Sequence, residues 1–245
     1  MNCQPLAKYL VYKRTNISQH CLLCDEPTDL AYPLCTECEH ALPWLDDHCT
    51  RCALPLPMAD LTCAQCSRRT PAFDQVVAPW YFGFPIDTLV SRFKHHSQWP
   101  LGRLMARLLG QALLHRFAEG LAKPDQLLPV PLTARRLRRR GFNQAALLAK
   151  WLGVQTGIPC NEQLLRRTLD TPAQQTLGAK ARRRNLRQAF GLVSDARLDG
   201  LHLAVVDDVL TTGATAQAIA ALLRRAGARQ VDVYCLARTP KPGQV

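Results

Sequence analysis

VVDDVLTTGAT, residues Val205 to Thr215, reads as an apolar strand that ends in two acids, crosses a loop of threonine and glycine, and enters the helical sequence AQAIAALLRRAG. A phosphate at such a junction meets free backbone N–H groups at the positive end of a helix dipole, and Gly213 permits close backbone approach. Thr211, Thr212 and Thr215 add hydroxyl donors. Asp207 and Asp208 can accept hydrogen bonds from vicinal ribose hydroxyls, and the carboxyl end of a strand is where open α/β sheets bind ligands. The bland alternative is a strand-turn-helix with acids and threonines at a cap. Two adjacent acids followed by T-T-G-A-T favour a ribose 5-phosphate site instead.

The flanking sequence alternates in the same way. QVDVYCLA (Gln230 to Ala237) is a second strand, joined to the first by a helix over Ala216 to Ala226 that Gly227 closes. Upstream, VVAPWYF (Val76 to Phe82) and LLPVPL (Leu127 to Leu132) read as strands, and Ile86 to Phe117 as one or two amphipathic helices. Asn143 is placed to cap a helix from Gln144 to Leu152, with Gly153 as its stop. Alternating strands and helices imply parallel β-α-β units in a doubly wound α/β sheet.

Before residue 70 the pattern is different: short segments punctuated by Pro27, Pro33, Pro43, Pro55 and Pro57 and by cysteine. Cys21/Cys24, Cys35/Cys38, Cys49/Cys52 and Cys63/Cys66 are four C-x-x-C pairs whose first members stand 14 residues apart. Two pairs close a tetrahedral four-thiolate site for zinc, whose binding energy a segment this small needs for folding. Two structural Zn2+ ions follow. Sequential pairing joins the first two pairs and the last two; interleaved pairing is the alternative, and the sequence does not decide between them, though sequential ribbons are the expectation. The competing readings are a redox C-x-x-C, which usually opens a helix in a thioredoxin-like unit, and an iron–sulfur cluster; zinc is the expectation. His20 and His48 adjoin ligand cysteines as bystanders, and Cys3, Cys160 and Cys235 stand alone. The expected organisation is a double zinc ribbon over residues 1–70 and an α/β domain over 71–245.

Of the 245 residues, 47% are hydrophobic and 20% charged, a globular balance with no apolar run long enough to span a membrane. The opening MNCQPLAKYLVYKR lacks the apolar core of a secretory signal, and the expected location is the cytoplasm, where thiols stay reduced. Net charge is +12, and Thr133 to Phe190 alone holds 13 Lys or Arg against Glu162 and Asp170. A field so localised points to a polyanion, with a solvated helical face as the plain alternative. Residues 1–70, with six basic and eight acidic side chains, make a poor grip for phosphate backbone and favour docking to the basic segment or to a protein.

VVDDVLTTGAT resembles the phosphoribosyl pyrophosphate (PRPP) signature of type I phosphoribosyltransferases. That resemblance assigns Asp207 and Asp208 to the ribose hydroxyls, Leu210, Thr211, Thr212, Gly213, Ala214 and Thr215 to the 5-phosphate, and Mg2+ to a place between pyrophosphate and ribose. Behind the four cysteine pairs, PVPL (Pro129 to Leu132), RRRGFNQA (Arg138 to Ala145) and TPAQQTLGAKARRRNLRQAF (Thr171 to Phe190) together resemble the ComF/GntX family. The matching positions are Arg140, Gly141, Phe142, Asn143 and Gln144, then Thr171, Gln174, Leu177, Arg182, Asn185 and Phe190. The resemblance implies a type I phosphoribosyltransferase fold tipped by a zinc ribbon and a role in DNA uptake during competence or in using DNA as a nutrient.

Two readings remain. In an enzyme, the PVPL turn with Val130 forms a pyrophosphate loop, Arg138 to Arg140 reach its charge, and Arg166, Arg167, Lys180, Arg182, Arg183, Arg184 and Arg187 belong to a closing flap. In a DNA-handling protein the same cations track single-stranded DNA, with Phe142, Trp151 or Phe190 stacking on bases if they are not core, and uptake-machinery proteins are expected partners. A nucleotide-sensing regulator is a weaker third reading, since no helix-turn-helix is evident. No nucleobase pocket is legible, so the acceptor of any transfer reaction is open.

Overall fold

The computed structural model describes residues 19–168, 188–193 and 196–240, and its first elements are short, as closely spaced prolines and cysteines dictate. β1 (Gln19–His20) and β2 (Pro27–Thr28) form an antiparallel pair, followed by the one-turn helices α1 (Thr36–His40) and α2 (Ala64–Arg68). The main sheet begins with the short strands β3 (Gln75–Val77) and β4 (Trp80–Tyr81), which flank Pro79. Proline donates no ladder hydrogen bond, so the strand expected over Val76 to Phe82 is split in two, both halves running parallel to one neighbour.

α3 (Ile86–His96) and α4 (Trp99–Ala118) are separate helices, divided where Ser97 takes a left-handed conformation with φ 53°. β5 (Gln126–Pro129), α5 (Ala134–Arg140) and α6 (Gln144–Thr156) follow, then the antiparallel pair β6 (Leu165–Arg167) and β7 (Phe190–Leu192). β8 (His202–Leu210), α7 (Ala214–Arg225) and β9 (Gln230–Arg238) complete the chain. Asn143 caps α6 as expected, its Oδ1 accepting from the Ala145 N–H at 3.0 Å. The helix does not stop at Gly153. It runs on to Thr156 and ends at Gly157, φ 70°, because Gly153 is a packing position: a Cβ there would stand 2.8 Å from the Ile158 carbonyl.

The main sheet has the order β3-β9-β8-β5, with β4 also along β9, and every pairing in it is parallel. Burial follows from alternation along β8. Leu203 and Val205 join the cluster of Ile219, Ala220 and Leu223 on α7, while Ala204 and Val206, equally buried, point to the opposite face, where α6 packs on β5 and β8. Each of the valine, leucine and isoleucine side chains among these contributes roughly 1.5–3 kcal/mol by leaving water. The α/β sheet with helices on both faces is thus as expected. At the amino ends of the strands, His202 Nε2 lies 2.9 Å from Asp232 Oδ2 in a fully buried pair.

The chain falls into two compact units, Met1–Leu42 and Pro43–Val245. The second cysteine quartet belongs to the larger of these units. Cys49, Cys52, Cys63 and Cys66 pack in one core with Val76, Leu128, Val205 and Val233, so that quartet is built into the α/β unit. Among the described residues no helix is long and apolar enough to cross a membrane.

Candidate functional site

β8 does not end at its acids. Ladder pairing with β9 continues through Val209 and Leu210, so Asp207 and Asp208 lie within the strand near its carboxyl end and the loop proper is Thr211 to Gly213. Successive amides hold the carboxylates side by side: the Asp208 N–H donates to Asp207 Oδ1 and the Val209 N–H to Asp208 Oδ1, each at 2.9 Å. Leu210 is buried, and its carbonyl is taken by the Thr239 N–H at 3.0 Å and by Arg238. Gly213 adopts φ 73°, which L side chains rarely do, and begins α7 without a side-chain cap. A Cβ on it would meet nothing within 4 Å, so the approach from solvent is open. The Ala214 N–H donates to Thr212 Oγ1 at 3.4 Å, and the next amides of this twelve-residue helix start, with the hydroxyls of the exposed Thr211 and Thr212, are the candidate anion donors.

Cations from two other elements act on Asp208, Lys94 by contact and Arg140 through its field. Lys94 of α3 places Nζ 2.5 Å from Asp208 Oδ2, with the carboxylate buried and the ammonium a quarter exposed. Arg140, at the end of α5, bonds Gln144 Oε1 and has its guanidinium pKa lowered by burial against the opposing pull of Asp208. His95 is held below its usual value by burial and by the charges of Arg140, Lys94, His96 and Arg139. Asp207 responds in the other direction. Desolvation, and then the charge of Asp208, push its carboxyl up to about 8, against the hydrogen bond from the Asp208 N–H and the field of Lys94. Lys94 and His95 lie outside the stretches that carried the expectation. Their signal was faint, a Lys-His-His run closing an amphipathic helix.

Val130 braces the adjacent loop: its N–H donates to the Val206 carbonyl at 2.9 Å and its own carbonyl accepts from Asn143 Nδ2 at 3.1 Å. Beside it Pro129, Pro131, Leu132, Leu137, Phe142 and Leu147 line a largely apolar pocket of about 380 Å³.

The cysteines group sequentially. Sγ atoms of Cys21, Cys24, Cys35 and Cys38 lie within 4.8 Å of one another, as do those of Cys49, Cys52, Cys63 and Cys66. Sulfur–sulfur separations of 3.6 Å (Cys24 to Cys35) and 3.7 Å (Cys52 to Cys63) match the edge of about 3.8 Å of a tetrahedron with ~2.3 Å zinc–sulfur bonds. Both quartets thus fit zinc with no open coordination position. Within the second quartet burial pushes Cys52 up to about 11 and Cys66 up as well, while Cys49 is drawn down to about 7, against desolvation, by N–H groups of Cys63, Cys52 and Arg51. His20 and His48 bond backbone carbonyls, Asp25 O and Asp46 O, and are not in either quartet. Cys235 is fully buried, and burial pushes its thiol up to about 12.

Phe142 stacks obliquely on Phe93 at 5.7 Å and Trp99 at 6.0 Å, and Trp151 on Phe93 at 6.0 Å. Phe190 belongs to the core, with Arg167 over its ring at 5.3 Å, and offers no face to a base. Thr171, Gln174, Leu177, Lys180, Arg182, Arg183, Arg184, Asn185, Arg187 and Cys3 lie outside the described residues.

A family described as the double zinc ribbon domain matches residues 17–67. The chain is 41% identical over 170 residues to the DNA utilization protein YhgH of Salmonella typhi, covering 69% of this chain and 74% of that one. It is 39% identical over 170 residues to competence protein F of Haemophilus influenzae, with the same coverages. Among solved structures it is similar to the glutamine PRPP amidotransferase of B. subtilis, at 20% identity and a TM-score of 0.40 over 60% of this chain and 30% of that one.

Proposed function

The chain belongs to the ComF/GntX family of DNA utilization and competence proteins, and from that membership we propose that it binds PRPP or a related ribose 5-phosphate at Asp207 to Thr215 and acts in DNA uptake or in the use of DNA as a nutrient. The observation that carries the proposal is the juxtaposition of paired carboxylates on β8, a helix start at Gly213 without a side-chain cap, and the ion pair of Lys94 with Asp208.

In this reading the loop amides and threonine hydroxyls bind the 5-phosphate, the carboxylates accept from the ribose hydroxyls, and Arg140 with Lys94 offsets the charge of a pyrophosphate. Mg2+ fits a site of carboxylates and phosphate oxygens, where it would neutralise charge on the diphosphate. Exposed arginines of the basic segment, Arg135, Arg138, Arg139 and Arg166 among the described residues, supply phosphate contacts for single-stranded DNA, and uptake-machinery proteins are the expected protein partners. Reduced thiols in two zinc quartets support a cytoplasmic location.

A second reading, catalytic transfer of ribose 5-phosphate from PRPP to a nucleobase-like acceptor, is favoured by the apolar pocket beside Pro129 to Leu132. Calorimetric titration of Mg-PRPP into the zinc-loaded protein tests the shared premise. Release of pyrophosphate on adding candidate bases separates the second reading from the first.

A further inference from the structure

Arg238 closes β9, a strand whose other eight residues include six with apolar side chains, and it is 7% exposed. Its guanidinium is gripped by carbonyl oxygens from three places. Nε donates to the Cys52 carbonyl at 2.9 Å, and Nη1 donates to the carbonyls of Leu210 at 3.0 Å, Thr239 at 2.7 Å and Thr211. None of the ion pairs among the described residues involves it. A buried guanidinium held by carbonyls alone is costly unless every one of those contacts is kept, so the three segments are fixed relative to one another.

Those segments are functionally distinct. Cys52 belongs to the second cysteine quartet, and its turn is closed by the Cys49 N–H to Leu54 carbonyl bond at 2.8 Å and the Ala53 N–H to Cys49 carbonyl bond at 2.9 Å. A metal on the four sulfurs would lock that turn, because Cys63 on the far side donates its N–H to Cys49 Sγ at 3.2 Å. Thr211, by contrast, is the first residue past β8, where the direction of the carbonyl sets how the loop leaves the strand.

We propose that Arg238 is a positioning residue that couples metal occupancy of the Cys49/Cys52/Cys63/Cys66 quartet to the shape of the Thr211–Gly213 loop, so that the second ribbon acts as a metal-dependent brace for a phosphate ligand. The ligand half of this proposal rests on the ribose-phosphate reading above. The metal half does not. Coupling of this kind is reciprocal: whatever factor zinc adds to ligand affinity, the ligand adds to zinc affinity.

The test follows zinc release from the full-length protein to a chromophoric chelator, in wild type, Arg238→Lys and Arg238→Met, with and without Mg-PRPP. One of the two zinc ions is expected to leave about tenfold faster from Arg238→Met, the other at the wild-type rate, and Mg-PRPP is expected to slow the first ion in wild type only. Arg238→Lys retains the charge but not the donor to Cys52, and should fall between; it stands in for Arg238→Met if that variant does not fold. Equal release of both ions from wild type and variants overturns the proposal, as does wild-type protein that binds Mg-PRPP without any slowing of zinc loss. Faster release in the variants with no Mg-PRPP binding by wild type would keep the brace and remove the ribose-phosphate reading.

Discussion

Lys94 Nζ on α3 and Asp208 Oδ2 on β8 lie 2.5 Å apart, an ion pair between residues 114 positions apart in sequence, inside the site at which ribose hydroxyls are expected. Removing one partner of such a pair strands the other. Lys94→Met should cost on the order of 2 kcal/mol, less than a fully buried pair because the ammonium is a quarter exposed. Thermal unfolding should show a fall of roughly 4–8 °C, and the double variant with Asp208→Asn should regain much of it. Additive losses in the double variant would show that the pair contributes nothing.

The carboxyl of Asp207 is pushed up to about 8, first by desolvation and then by Asp208. A raised acid is protonated more readily in the folded chain than in the unfolded one, so this group's contribution to stability falls as pH rises from about 4 toward 8. Asp207→Asn should therefore raise the Tm at pH 8 and lose that gain toward pH 5. Ligand binding has the opposite sign, since only the carboxylate accepts from two hydroxyls. Mg-PRPP affinity should climb between pH 6 and pH 8, by at most about tenfold per unit.

The two cysteine quartets should respond differently to loss of a ligand. Cys49 is fully buried and shares the core of the α/β unit, so Cys49→Ser should release one zinc and lower the main unfolding transition. Cys21→Ser, in the Met1–Leu42 unit, should also release one zinc and leave that transition in place. Zinc analysis beside a thermal melt reads both outcomes.

For single-stranded DNA, a plot of log affinity against log salt should be steep, as release of counterions from several phosphates requires. Arg138→Ala and Arg139→Ala should each weaken binding at every sequence and reduce the slope by about one. A flat slope for wild type would argue against backbone contacts by this segment.

Much of this architecture is legible from sequence because local rules carry it. The 14-residue cysteine period pointed to two metal quartets without fixing which pairs join, and the β8–α7 junction drew attention to its own acids and glycine. What stayed hidden depended on distant packing. Gly153 looked like a helix stop, whereas its missing side chain makes room for the Ile158 carbonyl and the stop falls at Gly157. Pro79 broke a strand that hydrophobicity alone made continuous. Lys94 reaches Asp208 from a helix 114 positions away, and Arg238 reaches the loop from the neighbouring strand; the only hint of the latter was a charged residue ending a largely apolar strand. The compact units part at Leu42 because the second quartet is buried against the sheet, a contact that cysteine spacing cannot express.

The most direct test of the ribose-phosphate site is a calorimetric titration of Mg-PRPP into wild-type protein and into the variant carrying both Asp207→Asn and Asp208→Asn, each loaded with two zinc ions. Saturable heat from wild type, and at least a tenfold loss of affinity in a variant that still unfolds cooperatively, is the result expected. A folded wild type that gives no heat, or a variant that binds as tightly as wild type, would contradict the assignment of this loop to a ribose phosphate.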